Sequence, residues 1–217
     1  MLKRLLPAVL ALTALAMATP AQAEGRHDTY GPVARMLVDG EGRCTATLIA
    51  PEWILTSNMC IPGTGLSGMT FAIGSHRTST ANAVSVSHSR QADLALIKLD
   101  RAVGNPVAKL ASSTPEVGST VRTYSWSHAC ETGTEPTHRT TTPKAVDHSY
   151  DYLGSDYFSG PAMNLTAKTG EITCGDYGSP TVHDGEQVGV ISLSDGKWTI
   201  ATLVADQRPW IQEIAGV

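Results

Sequence analysis

The sequence predicts an all-β fold, and three features of the chain favour strands over helices. Most apolar stretches are short and separated by turn residues, some alternate with polar residues at period two, and Asp-Gly pairs join several of them. The pairs at 184–185 and 195–196 each lie between two apolar runs, which is a strong hairpin signal. A chain of 217 residues is long enough for one all-β unit with a large core.

The predicted strands follow one another along the chain. Residues 83–88 alternate between apolar and polar side chains, whereas 94–99 are almost continuously apolar, as expected of a strand buried on both faces. The other predicted strands are 34–38, 44–50, 120–126, 188–193 and 198–204. Residues 127–170 have little apolar periodicity, so we expect long surface loops around a few short strands there.

Only the end of the chain has a helical pattern. Pro209 suits the first turn of a helix, and Trp210, Ile211 and Ile214 would then share one face. We therefore predict a short helix over 209–214. No linker in the sequence separates two independently folding domains, so the strands and this helix are expected to form a single unit.

The first 23 residues have the three parts of a secretory signal. Lys3 and Arg4 form a basic start, residues 5–17 are mainly apolar, and Ala-Gln-Ala at 21–23 is a small-residue cleavage site. The apolar run is short for a bilayer span, which needs about 20 residues. We expect residues 1–23 to be removed, leaving a secreted chain that starts at Glu24 and does not associate with a membrane.

The charge balance argues against nucleic acid as a partner. The full chain carries 16 basic and 20 acidic residues, a formal net charge of −4. Removal of Lys3 and Arg4 with the signal leaves 14 basic residues against the same 20 acidic ones, a net charge of −6. Phosphate backbones bind to basic surfaces, so we expect no nucleic-acid partner.

The chain has four cysteines after the signal: Cys44, Cys60, Cys130 and Cys174. An even number of cysteines in an exported chain favours disulfides, and four cysteines allow three pairings that spacing alone cannot distinguish. Metal binding is disfavoured because no Cys-x-x-Cys or His-x-x-x-His spacing occurs. We expect no metal site and no cofactor.

Three motifs, in order, make the chain resemble the trypsin/chymotrypsin-like serine proteases. Residues 44–60 resemble the strand pair that leads to the Ala-Ala-His-Cys motif of that family. Residues 93–99 resemble the segment that carries the orienting aspartate. Residues 175–180, Gly-Asp-Tyr-Gly-Ser-Pro, resemble Gly-Asp-Ser-Gly-Gly-Pro, which carries the nucleophile. Including a terminal helix at 210–211, the resemblance extends over nearly all of the chain from residue 30.

The resemblance implies a fold and a disulfide pattern. The fold would be two packed six-stranded antiparallel Greek-key β-barrels with a short C-terminal helix, in one domain spanning 24–217 and dividing near 111–118. The family pairs the cysteine after its catalytic histidine with one upstream, which implies a Cys44–Cys60 disulfide here. Cys130 and Cys174 would then be the remaining pair.

Two of the three catalytic positions differ from the family. Serine hydrolysis needs a nucleophilic oxygen, an imidazole base, a carboxylate that orients the base, and backbone N–H groups that bind the oxyanion. By resemblance, Asp93 is the retained carboxylate, and Gly175 and Tyr177 would supply the N–H groups. However, Met59 stands at the histidine position and Tyr177 at the serine position. A thioether cannot take up a proton near neutral pH, and the phenol ring would occupy the space that a scissile peptide needs.

The resemblance also concerns how the loop around Asp176 is held. In the family, a newly released Ile-Val-Gly-Gly N-terminus pairs with this aspartate, whereas the expected mature chain begins Glu-Gly-Arg at residue 24. Some bacterial relatives use an internal arginine, and Arg122 is the candidate here. The specificity pocket also differs, because residues 192–194 read Ser-Leu-Ser in place of Ser-Trp-Gly. Glu171 would lie near the base of that pocket.

We expect a secreted protease homologue that does not cleave and acts by binding an extracellular protein or peptide, as a monomer. An alternative is a working hydrolase with displaced catalytic residues, for which Ser179, His76, His88 and His183 are available. A surface or loop role is the favoured interpretation of these four residues, because nothing in the sequence places them together. A duplicate that has lost its function is a third interpretation.

Overall fold

The computed structural model of the protein describes residues 29–75, 78–126 and 143–217. Within these residues the first barrel has six antiparallel strands. They are β1 (Val33–Val38), β2 (Glu41–Ala50), β3 (Trp53–Thr56), β4 (Met69–Ile73), β5 (Ser79–His88) and β6 (Ala95–Leu99). Their order around the barrel is β1-β2-β3-β6-β5-β4, and β4 pairs with β1 to close it.

The second barrel repeats this arrangement with the following six strands. They are β7 (Thr120–Ser125), β8 (Lys144–Ser155), β9 (Pro161–Ala167), β10 (Pro180–His183), β11 (Glu186–Ser194) and β12 (Trp198–Leu203). The order is β10-β11-β12-β9-β8-β7, and β7 pairs with β10. The predicted all-β fold of two six-stranded Greek-key barrels is therefore confirmed.

In one region the strands are longer than predicted. Residues 127–170 were expected to form long surface loops around a few short strands, but most of the described part, 143–170, belongs to β8, with 12 residues, and β9, with 7. β8 does alternate at period two, since Val146, His148 and Tyr150 are buried and the residues between them are more exposed. Because its inward side chains include a histidine and a tyrosine, the alternation does not show as an apolar pattern in the sequence.

A third apolar cluster joins the two barrels. It contains side chains from β2, β3 and β6 of the first barrel, from β11 of the second, and from the C-terminal helix α1 (Arg208–Ala215). Ile211 is fully buried in this cluster, with Trp210 and Ile214 packed against it. The predicted helix is confirmed, with Pro209 in its first turn and Gly216 ending it at a φ of 76°. In the described part of the chain, no helix has both the length and the apolar character needed to cross a bilayer.

Candidate functional site

The end of β3 brings Met59 and Asp93 together. A single 3-10 turn, Asn58–Cys60, follows β3, and the hydroxyl of Ser57 caps it by accepting a hydrogen bond from the Met59 amide at 3.1 Å. The same amide donates to Asp93 Oδ1 at 3.2 Å. Met59 is therefore tied through its backbone to the carboxylate that resemblance assigns as the orienting group.

The other carboxylate oxygen of Asp93, Oδ2, accepts hydrogen bonds from two serine hydroxyl groups. The donors are Ser57 Oγ at 2.8 Å and Ser192 Oγ at 2.6 Å. The Asp93 side chain is fully buried. Burial raises the pKa of the Asp93 carboxyl above its ordinary value, and the hydrogen bonds from Ser192, Ser57 and Met59 oppose this shift. The carboxylate thus has partners on both oxygens without an imidazole.

A second buried carboxylate, Asp156, was missed by the sequence reasoning. Its Oδ2 accepts from the Asp93 amide at 2.7 Å and from Thr202 Oγ1 at 2.8 Å. Its Oδ1 accepts from the Phe158 and Gly160 amides, both at 2.8 Å. An aspartate that opens a short turn before a glycine is a recognisable local sequence signal. The contact between Asp156 and Asp93, which are 63 residues apart, has no such signal in the sequence.

The segment carrying Tyr177 packs closely on the first barrel. The Thr45 amide donates to the Tyr177 carbonyl oxygen at 2.9 Å. The next residue, Gly178, has a φ of 80°, and a Cβ there would overlap Thr56 Oγ1 and the Thr45 carbonyl oxygen. That Cβ would also lie 3.3 Å from Cys60 Sγ. The residue after Tyr177 therefore lies against the residue after Met59, and only glycine fits there.

The Tyr177 ring lies between the two barrels. It is partly buried and packs against the apolar cores of both barrels. Its hydroxyl donates to the Ser194 carbonyl oxygen at 3.4 Å. Ser194 is the last residue of β11 and belongs to the segment that resembles the family's specificity-pocket wall. The ring therefore extends from the nucleophile position to that wall.

The carbonyl groups at the two expected oxyanion positions face Thr45. The Gly175 carbonyl oxygen accepts from Thr45 Oγ1 at 3.4 Å, and the Tyr177 carbonyl oxygen accepts from the Thr45 amide. Thr45 lies on β2 next to Cys44, whose disulfide with Cys60 is formed and confirms that predicted pair. Cys130 lies outside the described residues, so the Cys130–Cys174 pair stays a prediction.

Among the described residues, Lys144 forms an ion pair with Asp176, whereas Arg122 was the predicted candidate. Lys144 Nζ lies 2.5 Å from Asp176 Oδ2. Arg122 instead forms a two-point ion pair with Asp147, its Nε 2.6 Å from Oδ1 and its Nη2 3.1 Å from Oδ2. The reason is strand register, because Arg122 on β7 is paired directly with Asp147 on β8.

The residues proposed for a displaced catalytic group do not assemble in the described part of the chain. Ser179 is fully buried, and its Oγ has no hydrogen-bond partner there. His88 Nδ1 contacts Asn58 Oδ1 at 2.7 Å, and His183 Nδ1 contacts the Thr120 carbonyl oxygen at 3.0 Å. His76 lies outside the described residues. Glu171 is exposed, and its carbonyl oxygen accepts from Lys144.

Residues that the structure describes line cavities near the site. A crevice of about 520 Å³ adjoins the turn that carries Met59 and is lined in part by Asn58, His88 and Phe158. A smaller, mainly apolar cavity of about 200 Å³ lies beside the residues that contact Tyr177, between Ser194 and Trp198. The site thus retains concave surface beside the turn that carries Met59 and beside Ser194, whose carbonyl oxygen the Tyr177 hydroxyl contacts.

Comparison with known proteins decides the family. The family model described as Trypsin matches residues 24–211. This chain belongs to the trypsin family. A protein of Corynebacterium glutamicum (strain R) named "Uncharacterized peptidase" is 28% identical over 222 residues, covering 97% of this chain and 77% of that protein. "Inactive snake venom serine proteinase 13" of Crotalus adamanteus is 30% identical over 211 residues, covering 79% of this chain and 76% of its own length.

Solved structures have the same fold at lower identity. A mutant of human heparin binding protein superposes with a TM-score of 0.72, at 22% identity, over 86% of this chain and 92% of its own. At that identity the likeness concerns the fold alone. The relatives in the trypsin family thus include one named as a peptidase and one named as inactive. Whether this chain is catalytic therefore has to be argued from the side chains of its own site.

Proposed function

We propose that the protein is a secreted, non-catalytic member of the trypsin family that acts as a monomer by binding an extracellular protein or peptide. The observation that carries this proposal is the Tyr177 ring, which packs against both barrel cores and reaches the Ser194 carbonyl oxygen. A substrate peptide would have to displace this ring, and its removal would still leave no hydroxyl nucleophile at that position.

The surroundings of Asp93 support the same conclusion. In a working triad the aspartate accepts a hydrogen bond from the imidazole and holds it in the correct tautomer. Here Ser57 and Ser192 donate to Asp93 Oδ2, and the Met59 thioether has no proton to donate. Loss of the serine or histidine alone typically reduces turnover by about 10⁶. Both losses together would put peptide hydrolysis below detection.

Secretion is proposed from three observations. The sequence begins with a basic, apolar and small-residue series typical of a removed signal. A disulfide joins Cys44 and Cys60, as is usual for proteins that mature in an oxidising compartment. Several relatives are named as snake venom proteins.

The alternative of a hydrolase with displaced catalytic residues is disfavoured by the complete burial of Ser179.

An active-site label tests the loss of catalysis. Purified mature protein is incubated with a fluorophosphonate, and covalent labelling is measured by mass spectrometry beside a peptidase assay. We expect neither labelling nor hydrolysis. The matched control is the double variant M59H/Y177S, which shows whether the barrels can still support the chemistry. Stoichiometric labelling of the unmodified protein would overturn the proposal.

A binding experiment tests the second part of the proposal, that the protein binds an extracellular protein or peptide. Mature protein carrying a photo-cross-linker at Gly63, an exposed residue that lines the crevice and has open space for a side chain, is exposed to the native extracellular fluid, and cross-linked proteins are identified. The matched control carries the same group at Val117, which is exposed and does not line the crevice. A partner that cross-links only at the crevice and competes with unlabelled protein supports the proposal, whereas equal yields at both positions contradict it.

A further inference from the structure

The crevice of about 520 Å³ has an uncharged and mainly apolar lining. Ile61, Pro62 and Val86 supply aliphatic surface to it, and Phe158, which is 49% exposed, adds an aromatic side chain. None of its described lining residues is a lysine, an arginine, an aspartate or a glutamate, and none belongs to the segment 192–194 that resembles the specificity-pocket wall. The crevice therefore suits an uncharged and largely apolar group of a ligand.

Asn58 also lines the crevice, and a backbone contact decides how its amide group is oriented. Asn58 Nδ2 donates to the Ala92 carbonyl oxygen at 3.3 Å. A carbonyl oxygen only accepts hydrogen bonds, so the amide atom beside it must be the NH₂ group. The amide oxygen, Oδ1, is therefore the atom that contacts His88.

The Asn58 amide oxygen in turn fixes the protonation of the His88 ring. It lies 2.7 Å from His88 Nδ1. Because an amide oxygen can only accept, Nδ1 must carry the proton, and the neutral ring then has an unprotonated Nε2. In the described part of the chain Nε2 has no hydrogen-bond partner, and His88 is exposed. His88, which lines the crevice, thus has one ring nitrogen that can accept a hydrogen bond from a ligand.

The other polar side chains of the described lining are already engaged. Ser89 Oγ donates to Gln207 Oε1 at 2.8 Å and accepts from the Gln91 amide at 3.1 Å. Both polar atoms of the Asn58 amide have partners. A ligand that covers His88 Nε2 without donating to it leaves this acceptor unpaired, which costs free energy. The crevice therefore favours an apolar group that ends in a hydrogen-bond donor over one that lacks the donor.

We propose that the crevice binds a tyrosine side chain of the extracellular partner, with its phenol O–H donating to His88 Nε2 and its ring packed beside Phe158. A tyrosine combines a large apolar ring with a hydroxyl donor at its end, which matches an apolar wall with one free acceptor. Asn58 is a positioning residue, because it holds His88 in the accepting tautomer. This inference rests on the proposed function, since it names the chemistry of the partner at the same crevice.

The tautomer is tested first, in the absence of any ligand. Two-bond proton–nitrogen NMR spectra of the mature protein at about pH 8.5, where an ordinary imidazole is neutral, show which ring nitrogen carries the proton. We expect it on Nδ1 of His88. His183 is the internal reference, because its Nδ1 lies 3.0 Å from the Thr120 carbonyl oxygen and must also donate. Asn58→Ala should produce a mixture of tautomers at His88 and leave His183 unchanged.

Binding is tested with N-acetyl-tyrosinamide and N-acetyl-phenylalaninamide, two probes that differ only in the phenol hydroxyl. NMR titrations should give a millimolar dissociation constant for the tyrosine amide, about 5–10 times lower than that for the phenylalanine amide. Asn58→Ala and His88→Leu should each reduce this preference to within about twofold, without weakening the phenylalanine amide. The matched control is His183→Leu, which does not alter the crevice lining and should keep the full preference.

Three results would overturn the proposal. They are a proton on Nε2 of His88 in the unmodified protein, a tyrosine amide that binds no better than the phenylalanine amide, and a preference that survives Asn58→Ala. These outcomes are separate from those of the proposed function. A partner that cross-links only at Gly63 would still support binding at the crevice if the tyrosine amide failed, and fluorophosphonate labelling would overturn the loss of catalysis whatever the two amides do.

Discussion

The barrel interface around Asp93 and the interior of the second barrel around His148 each bury a titratable side chain completely. At the interface, Asp93 accepts hydrogen bonds from Ser57, Ser192 and the Met59 amide. In the barrel interior, neither ring nitrogen of His148 has a hydrogen-bond partner within the described residues. The first region accommodates a polar group by surrounding it with donors, and the second by keeping it uncharged.

The two regions therefore respond to pH with opposite signs. Burial lowers the pKa of His148 to about 4, against a weaker opposing effect of the Asp147 carboxylate. Burial raises the pKa of Asp93, against its hydrogen bonds. Acidification destabilises the fold through His148, because the unfolded chain takes up that proton first. It stabilises the fold through Asp93, because the folded chain takes up that proton first.

Among these changes, Asp93→Ala is expected to lower the free energy of unfolding the most. It leaves the Ser57 and Ser192 hydroxyl groups without their acceptor in a buried site, whereas the Met59 amide still donates to Ser57 Oγ. The free energy of unfolding should therefore fall by about 4 kcal/mol. Urea unfolding at neutral pH measures the loss. Asp93→Asn retains one acceptor oxygen and serves as the control, with a smaller loss expected. Equal stability of the alanine variant and the unmodified protein would contradict a structural role for this carboxylate.

Acidification is expected to have the next largest effect, through His148. The folded-state pKa of about 4 lies below the ordinary value of 6.5, so stability is lost as pH falls through this window and levels off below it. The loss attributable to this group is about 3 kcal/mol. Urea unfolding across the window measures it.

The control for His148 is a variant that cannot titrate. His148→Leu keeps an apolar side chain of similar size in the barrel, so its stability should decline less between about pH 6.5 and pH 4. Other titrating groups are present in both proteins, and the difference between the two curves isolates the imidazole. Parallel curves would mean that His148 is protonated in the fold without cost.

Ser192→Ala should have a moderate effect. It removes the shorter of the two hydroxyl bonds to Asp93 Oδ2, and a bond of this kind to a charged group contributes about 1.5–3 kcal/mol. Ser57→Ala should cost a similar amount. Because both serines donate to the same carboxylate oxygen, the loss of unfolding free energy in the double variant is expected to differ from the sum of the two single losses. Strict additivity in urea unfolding would indicate that the two hydroxyl groups act independently.

Tyr177→Phe is expected to have the smallest effect. The bond from its hydroxyl to the Ser194 carbonyl oxygen is long, at 3.4 Å, so its removal should change the free energy of unfolding by less than about 1 kcal/mol. Tyr177→Ala removes the ring from both barrel cores and is the matched control, with a larger loss expected. A large effect of the phenylalanine variant would show that the hydroxyl, and not ring packing, holds Tyr177.

Local patterns account for the parts of the fold that were predicted correctly. β5 and β6 were predicted because alternation and continuous apolarity are properties of neighbouring residues, as is the helical spacing around Ile211. β8 was missed because His148 and Tyr150 occupy inward positions. Burial in a closed barrel depends on the strands on either side, and these are not visible in the segment itself.

The sequence by itself determined that a thioether and a phenol stand at positions 59 and 177, and where most strands run, because side-chain chemistry and short-range periodicity are written residue by residue. Only the tertiary structure decided that Asp156 supports Asp93 and that Lys144, not Arg122, meets Asp176. Hydrogen bonds and ion pairs act over a few ångströms, and barrel closure and strand register bring such distant residues within that range.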